Sequence, residues 1–249
     1  MNKLLHLTMF TILFLFTACS SKNELVTVIV DGKQGIVKKD GNIIVKPEYD
    51  EIQNIEDINN KNIRTKSMHP INFHWIHNYN GELYSIVKKD GKYGIISSEN
   101  EILVKPQYDS ISKEFNGYFK VKKNKSYGLL NTNFELVQKV IYQDVITNSK
   151  LVFLKSNNKW SCLNEDNKLK QKESFDEVYP FINGFARFVQ NSKWGFIDEN
   201  CEIVAKAKYD YAYDYSNGFS KIVIEEKTSY IDEKGKQILN PSFSFGQNF

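Results

Sequence analysis

Three histidines lying close together are the side chains of this sequence best suited to hold a metal ion. His69, His74 and His77 fall within nine positions, and Glu56 and Asp57 lie upstream of them. Imidazole is the commonest metal-ligating side chain, so the stretch could form a metal or ligand site on a loop. The spacing matches no zinc motif, and exposed histidines on a locally packed loop are the favoured interpretation. We therefore predict no cofactor and no metal, with these histidines as the candidates if a metal binds.

A cysteine near the N-terminus could carry a covalently attached lipid. Lys3 precedes an almost wholly apolar run at residues 4–16, which is shorter than the roughly 20 residues that span a bilayer. The small residues Thr17 and Ala18 then precede Cys19. This pattern is typical of a secretory signal, and it resembles the signal peptide of bacterial lipoproteins. In that class the cysteine is acylated and becomes the first residue of the mature protein.

The signal divides the chain into three parts. We predict a signal peptide at residues 1–18, a lipidated tether at 19–24 and a folded domain at 25–249. The expected location is the bacterial cell envelope, where the lipid on Cys19 would hold the protein on the inner or the outer membrane. An ordinary cleaved signal with an incidental cysteine and an uncleaved anchor are the alternatives.

The folded domain is built on a unit that recurs about every 34 residues. With Gly195 as the reference, the first interval between counterparts is 59 residues and the next four are 34, 33, 34 and 34. A fixed period of this size indicates a repeat architecture, in which one unit cannot bury its apolar face alone. The counterparts of Gly195 are Gly35, Gly94, Gly128, Ser161 and Ser229.

An aromatic residue stands fourteen positions after each reference residue. This recurrence is far from chance in a chain with 14% aromatic residues. Core packing between neighbouring units is the favoured role of these rings, and a sugar-stacking surface is the alternative. The six residues are Tyr49, Tyr108, Tyr142, Phe175, Tyr209 and Phe243.

An aspartate follows the aromatic residue in four of the six units. A column of carboxylates could be a series of acid sites. An aspartate at a strand end more commonly supports a turn through hydrogen bonds with the backbone, and this is the favoured interpretation. The four residues are Asp50, Asp109, Asp176 and Asp210.

Alternating hydrophobic residues and turn residues predict short strands in every unit. Ala186 and Phe188 flank Arg187, which gives the period of two expected of a half-buried strand. Pairs such as Asp31-Gly32 suit tight hairpin turns. We predict an all-β fold of about six tandem three-stranded β-meanders, stacked as an open twisted array. A closed propeller-like ring is the alternative, although propeller blades usually have four strands.

The fifth unit resembles the WG-repeat family. Lys193–Asp198 reads Lys-Trp-Gly-Phe-Ile-Asp, Tyr209 and Asp210 follow at the family's spacing, and Trp160 holds the tryptophan position of the fourth unit. The resemblance covers roughly the whole folded domain. It implies tandem β-rich units of bacterial proteins, often at the cell envelope, and no general activity. Other units depart from the pattern at the tryptophan position, which is occupied by Gln34, Tyr93, Tyr127 and Thr228.

The first unit contains an insertion at about residues 55–79, and this insertion holds the three histidines. Insertions in repeat proteins commonly lie on one face, which is often functional. A role in ligand binding and a plain packed loop are therefore both open for this segment.

Two cysteines remain in the folded domain. Cys162 and Cys201 occupy different repeat positions, and two unmatched cysteines do not make a disulfide framework. We predict that Cys162 is a small core residue, with a disulfide bridge in an oxidising compartment as the alternative.

Composition and motifs narrow the function. Without residues 1–18 the chain carries 32 Lys and Arg against 30 Asp and Glu, spread along its length, which gives no electrostatic footprint for nucleic acid. The sequence contains no nucleophile motif, phosphate loop or dinucleotide fingerprint. We predict a non-catalytic, lipid-anchored envelope protein that presents a binding surface to a protein or glycan partner. The alternatives are an envelope carbohydrate-processing or hydrolytic enzyme with a site at residues 69–77, and a small-molecule site on the axis of a ring.

Overall fold

The computed structural model of the protein describes most of the chain beyond residue 24. The described residues are 25–53, 72–73, 76–77, 83–114, 117–147, 151–163, 167–170 and 174–238. They contain 23 β-strands, and within them we find no helix with the length and apolar character needed to traverse a bilayer. The strands are β1 (Leu25–Val30), β2 (Lys33–Lys38), β3 (Ile43–Tyr49), β4 (Glu51–Ile52), β5 (Asn72–Phe73), β6 (Ile76–His77), β7 (Leu83–Lys89), β8 (Lys92–Ser97), β9 (Ile102–Tyr108), β10 (Ser110–Lys113), β11 (Phe119–Lys123), β12 (Ser126–Leu130), β13 (Leu136–Tyr142), β14 (Asp144–Thr147), β15 (Val152–Ser156), β16 (Lys159–Cys162), β17 (Glu177–Val178), β18 (Phe185–Gln190), β19 (Lys193–Asp198), β20 (Ile203–Tyr209), β21 (Tyr211–Ala212), β22 (Phe219–Ile224) and β23 (Lys227–Asp232).

The described strands form six antiparallel sheets, and none of these sheets closes on itself. In chain order, sheet 1 is β3-β2-β1-β5 and sheet 2 is β4-β7-β8-β9, with β6 also paired to β7. Sheet 3 is β10-β11-β12-β13, sheet 4 is β14-β15-β16, sheet 5 is β17-β18-β19-β20 and sheet 6 is β21-β22-β23. The predicted all-β fold of about six tandem meanders is confirmed.

A short strand joins consecutive units. β4, β10, β14, β17 and β21 each begin two residues after the repeated aromatic position and pair with the first long strand of the next unit, as Ile111 pairs with Val121. Sheet 1 instead takes β5 from the insertion, through the pairing of Leu25 with Phe73. Because these strands are only two to four residues long, they carry too little periodicity for the sequence to predict them.

Tight turns join the first two long strands of each unit. Asp31 and Gly32 have positive φ angles of 49° and 76°, and Asn191 and Ser192 have φ angles of 52° and 61°. Two successive residues with positive φ form the turn type that suits a two-residue hairpin. These predicted hairpins are therefore confirmed.

Glycine at the reference position allows the third strand to approach closely. A Cβ atom on Gly94 would lie 2.5 Å from the carbonyl oxygen of Val104 and 2.7 Å from the nitrogen of Pro106. The register of β8 and β9 shifts at this point, as in a β-bulge. Ser161 and Ser229 replace glycine in the fourth and sixth units, where the described residues pair the second strand with the following segment only through isolated bridges.

The hydrophobic core of the described residues consists of five clusters, one at each junction between neighbouring sheets. At the junction of sheets 5 and 6, Phe196 and Tyr209 pack with Ile222 and Ile231. Each unit therefore completes its buried surface only with its neighbour, which is the nearest-neighbour packing of a repeat array.

The repeated aromatic position lies at these junctions in equivalent settings. Tyr49, Tyr108, Phe175 and Tyr209 are at most 5% exposed, and Tyr142 is half-buried. Each of these five residues, which we call the buried aromatic column, lies opposite the residue that precedes the reference position of its own unit. This placement supports the core-packing interpretation for the described members, while Phe243 lies outside the described residues.

The repeated aspartates join one unit to the next. Asp109 accepts hydrogen bonds from the Lys92 ammonium with Oδ1 and from the backbone nitrogen of Asn124 with Oδ2, the latter at 2.8 Å. Lys92 belongs to the same unit, and Asn124 lies in the hairpin turn of the following unit. The Lys92 hydrogen bond lowers the pKa of Asp109, and the hydrogen bond from Asn124 lowers it further. The same two hydrogen bonds are made by Asp50, Asp176 and Asp210. These aspartates therefore support the turn of the next unit rather than their own.

A disulfide joins Cys162 to Cys201, so the bridge that the sequence left as the alternative is present, and Cys162 is also the predicted core residue. Both residues are buried, at 1% and 0% exposure, and their Cα atoms lie 6.5 Å apart. Cys162 follows the reference position of the fourth unit and shares a core cluster with residues of sheet 5. The bond crosses from sheet 4 to the turn after β19, which explains why the two cysteines occupy different repeat positions.

Candidate functional site

Four aromatic side chains form a continuous row across sheets 5 and 6. The ring centroids of Tyr179 and Trp194 lie 5.0 Å apart, those of Trp194 and Tyr211 lie 4.8 Å apart, and those of Tyr211 and Tyr213 lie 5.0 Å apart. Tyr211 is 41% exposed, and the other three side chains are half-buried. We call these four residues the exposed aromatic row.

The backbone that carries the row is fixed by strand pairing. Trp194 lies in β19 opposite the buried Tyr209 of β20. Tyr179 follows β17, and its backbone nitrogen donates a hydrogen bond to the carbonyl oxygen of Arg187. Tyr211 belongs to β21, the short strand through which sheet 6 begins, and lies opposite Val223. The row therefore rests on paired strands rather than on free loops.

Arg187 fixes the middle of the row. Its guanidinium lies 5.1 Å from the centroid of the Tyr179 ring and 5.4 Å from that of Trp194. The same group donates a hydrogen bond to the carbonyl oxygen of Ala212 at 3.0 Å, and its Nε lies 2.7 Å from an oxygen of Asp214. Arg187 therefore connects sheet 5 to sheet 6, holds two rings by cation–π contact and has its charge balanced by Asp214.

The third unit contains a similar cationic clamp without the row. Lys120 occupies the repeat position of Arg187, lies 4.5 Å from the Tyr127 ring and contacts Asp144 and the carbonyl oxygen of Val145. The clamp is therefore a means of joining units. The additional rings are what distinguish the last two units.

Polar groups border the row at both ends. The hydroxyl of Tyr179 donates a hydrogen bond to Glu177 at 2.6 Å, and this bond is the largest cause of the raised pKa of Tyr179. At the other end the Lys221 ammonium lies 3.9 Å from the centroid of the Tyr213 ring. Because its pKa is raised, the Tyr179 hydroxyl stays protonated at neutral pH. The row therefore offers aromatic faces with hydrogen-bonding groups beside them.

This arrangement is suited to holding a ligand against the rings. Tyrosine and tryptophan give large, rigid, amphipathic contact area with little loss of side-chain entropy. The apolar face of a sugar ring can lie against such rings while its hydroxyl groups bond to the polar border. Among the described residues no group of three histidine, cysteine, aspartate or glutamate side chains is arranged to hold a metal ion.

The sequence prediction did not identify the row, although a signal was present. Tyr211 stands sixteen positions after its reference residue, where the earlier units have Glu51, Ser110, Asp144 and Glu177. Tyr179 and Tyr213 stand eighteen positions after theirs, where the first three units have Gln53, Ser112 and Ile146. Aromatic residues that break the repeat pattern, rather than those that obey it, mark this surface.

Several residues singled out from the sequence lie outside the described part of the chain. These are Cys19, His69 and His74, together with the side chain of His77. The described pieces of the insertion are β5 and β6, which add to sheets 1 and 2. Ile76 in β6 is 4% exposed and belongs to the core cluster between sheets 2 and 3. The insertion is therefore attached to the array at two points.

The structures of known proteins that resemble this chain are distant from it. The structure of a eukaryotic initiation factor aligns with this chain at a TM-score of 0.39 and 9% sequence identity. The alignment covers 89% of this chain and 74% of that chain. Kluyveromyces lactis Hsv2p has a TM-score of 0.33 at 12% identity, with coverage of 67% and 62%. Dihydro-heme d1 dehydrogenase NirN in complex with DHE has a TM-score of 0.32 at 13% identity, with coverage of 90% and 54%. This chain spans less than two thirds of the length of the last two proteins. No curated protein matches the chain.

Comparison with protein families gives a match at the level of the single repeat. The WG containing repeat family matches residues 35–60, 93–126, 174–194 and 194–227. The last two matches include every residue of the exposed aromatic row and the two cations that contact it, Arg187 and Lys221. WG containing repeats therefore occur at four places in this chain, and the candidate surface lies in the last two of them.

Proposed function

We propose that this protein is a non-catalytic, lipid-anchored component of the bacterial cell envelope that binds a glycan through the exposed aromatic row. The observation that carries the proposal is the run of four neighbouring rings at the surface, with centroids 4.8 to 5.0 Å apart. Clustered exposed aromatic side chains are characteristic of interaction sites, whereas single exposed hydrophobic residues are normal.

The charges around the row favour a glycan over a nucleic acid. Proteins that stack bases on aromatic rings line the site with unpaired cations that attract phosphate. Here the guanidinium of Arg187 is balanced by Asp214, and Glu177 adds a carboxylate beside Tyr179. With Lys221 beside Tyr213, two cations stand beside two carboxylates, so the row is not the strongly positive surface that binds a phosphate chain. Each carboxylate has further acceptor positions that could bond to sugar hydroxyl groups.

The same contacts support a binding role rather than an enzymatic one. Asp214 is ion-paired, and Glu177 accepts a hydrogen bond from a neighbouring tyrosine. A general acid must lie within hydrogen-bond reach of the group that it protonates, whereas both of these carboxyl groups are directed at neighbouring side chains of the protein. Both serve instead to hold the rings and the arginine in position.

The envelope location rests on two independent features. The first is the lipoprotein-like signal that ends at Cys19. The second is the disulfide between Cys162 and Cys201, because structural disulfides form and persist mainly in oxidising compartments such as the periplasm. A lipid on Cys19 would place the repeat array within reach of envelope polysaccharides.

Binding of the purified full-length protein to peptidoglycan sacculi and to a panel of immobilised polysaccharides tests the proposed function. We expect Tyr211→Ala to weaken binding at least tenfold, because this ring is the most exposed of the row. Tyr93→Ala is the matched control, since Tyr93 occupies the repeat position of Trp194 in the second unit and lies outside the row. Equal binding by wild type and Tyr211→Ala, or binding of no polysaccharide, would contradict the proposal.

The anchor is tested separately by mass spectrometry of membrane fractions. We expect an acylated peptide beginning at Cys19 from the wild-type protein and its loss in Cys19→Ala. An unmodified mature N-terminus in the wild type would show that the protein is secreted without a lipid.

A further inference from the structure

Three residues lie side by side across each of sheets 2 to 6, one on the short first strand and one on each of the next two strands. Directly opposed residues of neighbouring strands share one face of a sheet. In sheet 2 they are Glu51, Lys88 and Tyr93, of which Lys88 is the middle residue. The corresponding residues are Ser110, Lys122 and Tyr127 in sheet 3, Asp144, Lys155 and Trp160 in sheet 4, Glu177, Val189 and Trp194 in sheet 5, and Tyr211, Val223 and Thr228 in sheet 6.

In sheets 2, 3 and 4 the middle residue is a lysine that covers the neighbouring aromatic ring. Cation–π attraction holds an ammonium over a ring face, while the methylene groups of the lysine lie along apolar surface. A ligand that stacked on one of these rings would have to displace the lysine. The distances from ammonium to ring centroid are 5.2 Å for Lys88 and Tyr93, 5.1 Å for Lys122 and Tyr127, and 5.3 Å for Lys155 and Trp160.

In sheets 5 and 6, which carry the exposed aromatic row, the middle residue is a valine. Because the side chain of Val189 is short and uncharged, no ammonium from this position lies over the Trp194 ring. That ring instead stands 4.8 Å from the ring of Tyr211. Glu177 lies opposite Val189 rather than a lysine, and it accepts the hydrogen bond from the Tyr179 hydroxyl. The replacement of lysine by valine therefore coincides with the row.

We propose that Val189 is a specificity-determining residue of the exposed aromatic row and that the row selects an uncharged sugar chain. This inference rests on the proposed function and adds the residue that makes the Trp194 ring available to the glycan. A lysine at position 189 would cover that ring, as Lys155 covers Trp160 in sheet 4. It would also lie opposite Glu177 and compete with Tyr179 for the carboxylate.

The charges beside the row are balanced when residue 189 is neutral. Arg187 is paired with Asp214, while Glu177 and Lys221 stand at opposite ends of the row. An uncharged sugar chain can therefore lie on the rings without an unfavourable charge pair. A charged chain would meet an ammonium or a carboxylate of its own sign.

Binding of the full-length protein to a panel of immobilised uncharged polysaccharides and polyuronates tests the proposal. We expect the tightest binding to an uncharged member and at least tenfold weaker binding of that member by Val189→Lys. The variant should fold, because lysine occupies this position in three other sheets.

Gln190→Lys is the matched control, because it adds the same charge at the next residue of β18. Lysine already stands at this repeat position in Lys89 and Lys123, and successive residues of a strand point to opposite faces. We expect Gln190→Lys to bind within twofold of the wild type. Equal loss of binding in both variants would show that net charge, and not cover over the ring, is responsible, and would overturn the proposal.

Fluorescence quenching measures access to the Trp194 ring without any glycan. In a protein that also carries Trp75→Phe and Trp160→Phe, we expect Val189→Lys to lower the acrylamide quenching constant of Trp194 at least twofold. Unchanged quenching, unchanged polysaccharide binding by Val189→Lys, or tightest binding to a polyuronate would each overturn the proposal. If the wild type binds no polysaccharide, the proposed function fails, and quenching still decides whether residue 189 controls access to the ring.

Discussion

The buried aromatic column and the exposed aromatic row use the same kinds of side chain for different purposes. Phe175 in the column is 0% exposed, whereas Tyr211 in the row is 41% exposed. The column recurs in the first five units, where each junction between sheets has a ring in the same place. Among the residues that the structure describes, the row occurs only across sheets 5 and 6, where no packing rule demands it. In this repeat protein the recurring rings hold the units together, and we propose that the rings that depart from the repeat pattern form the binding surface.

The largest loss of stability should follow from removing a ring of the buried aromatic column. Phe175→Ala removes a fully buried ring that lies 4.5 Å from the ring of Phe188. We expect the free energy of unfolding to fall by about 3–5 kcal/mol, measured by urea denaturation. A loss below about 1 kcal/mol would mean that the junction of sheets 4 and 5 does not depend on this ring.

The disulfide across the same junction should have the next largest effect. The double substitution Cys162→Ala with Cys201→Ala opens a cross-link of 39 residues, and we expect a loss of about 2–4 kcal/mol. A reducing agent should lower the stability of the wild type by a similar amount and leave that of the double variant unchanged. A reducing agent without effect on the wild type would contradict a disulfide at these positions.

A side chain added at the reference glycine should lower the stability somewhat less than loss of the disulfide. The Cβ of Gly94→Ala would meet the carbonyl oxygen of Val104 at 2.5 Å, so β9 must shift, and we expect a loss of about 1–3 kcal/mol. Ser161→Ala is the control, because the fourth unit already accepts a side chain at this position. The midpoint of thermal unfolding should fall clearly further in Gly94→Ala than in Ser161→Ala. Equal midpoints would show that the close contact with β9 is not the reason for glycine at this position.

The repeated aspartates that link neighbouring units should contribute a smaller, pH-dependent part of the stability. The pKa of Asp109 lies below its usual value of 3.8, first because of the hydrogen bond from Lys92. Its contribution is therefore present above about pH 4 and is lost as the pH falls through the lower folded-state pKa. Unfolding curves between pH 2 and 7 should show that Asp109→Asn is less stable than the wild type at neutral pH. The difference should narrow in acid, and a constant difference would argue against the ion pair.

The smallest effect on stability should come from the row. Tyr211→Ala removes a half-exposed ring, and we expect the free energy of unfolding to change by no more than about 0.5 kcal/mol. Together with lost polysaccharide binding, that result would separate the two aromatic sets most sharply. A large loss of stability would instead show that Tyr211 has a structural role.

Much of the architecture could be predicted from the sequence because repetition multiplies weak signals. A single Tyr49 or Gly35 says little, but six aligned copies indicate strands, turns and a buried ring. The linking strands were missed because two residues such as Tyr211 and Ala212 have no measurable period. The disulfide was only the alternative because aligning copies compares like positions, whereas Cys162 and Cys201 meet across a junction. The row was missed for a related reason, since averaging over copies hides what only the last two possess.

The repeated aspartates that link neighbouring units also affect how such a chain can gain further units. Each carboxylate bonds to a lysine upstream in its own unit and to a backbone nitrogen of the turn that follows. A duplicated segment of 34 residues would carry a complete donor and acceptor for this link at both ends. Gene duplication could therefore extend the array without any new contact having to evolve, and binding rings could be added later to a single copy.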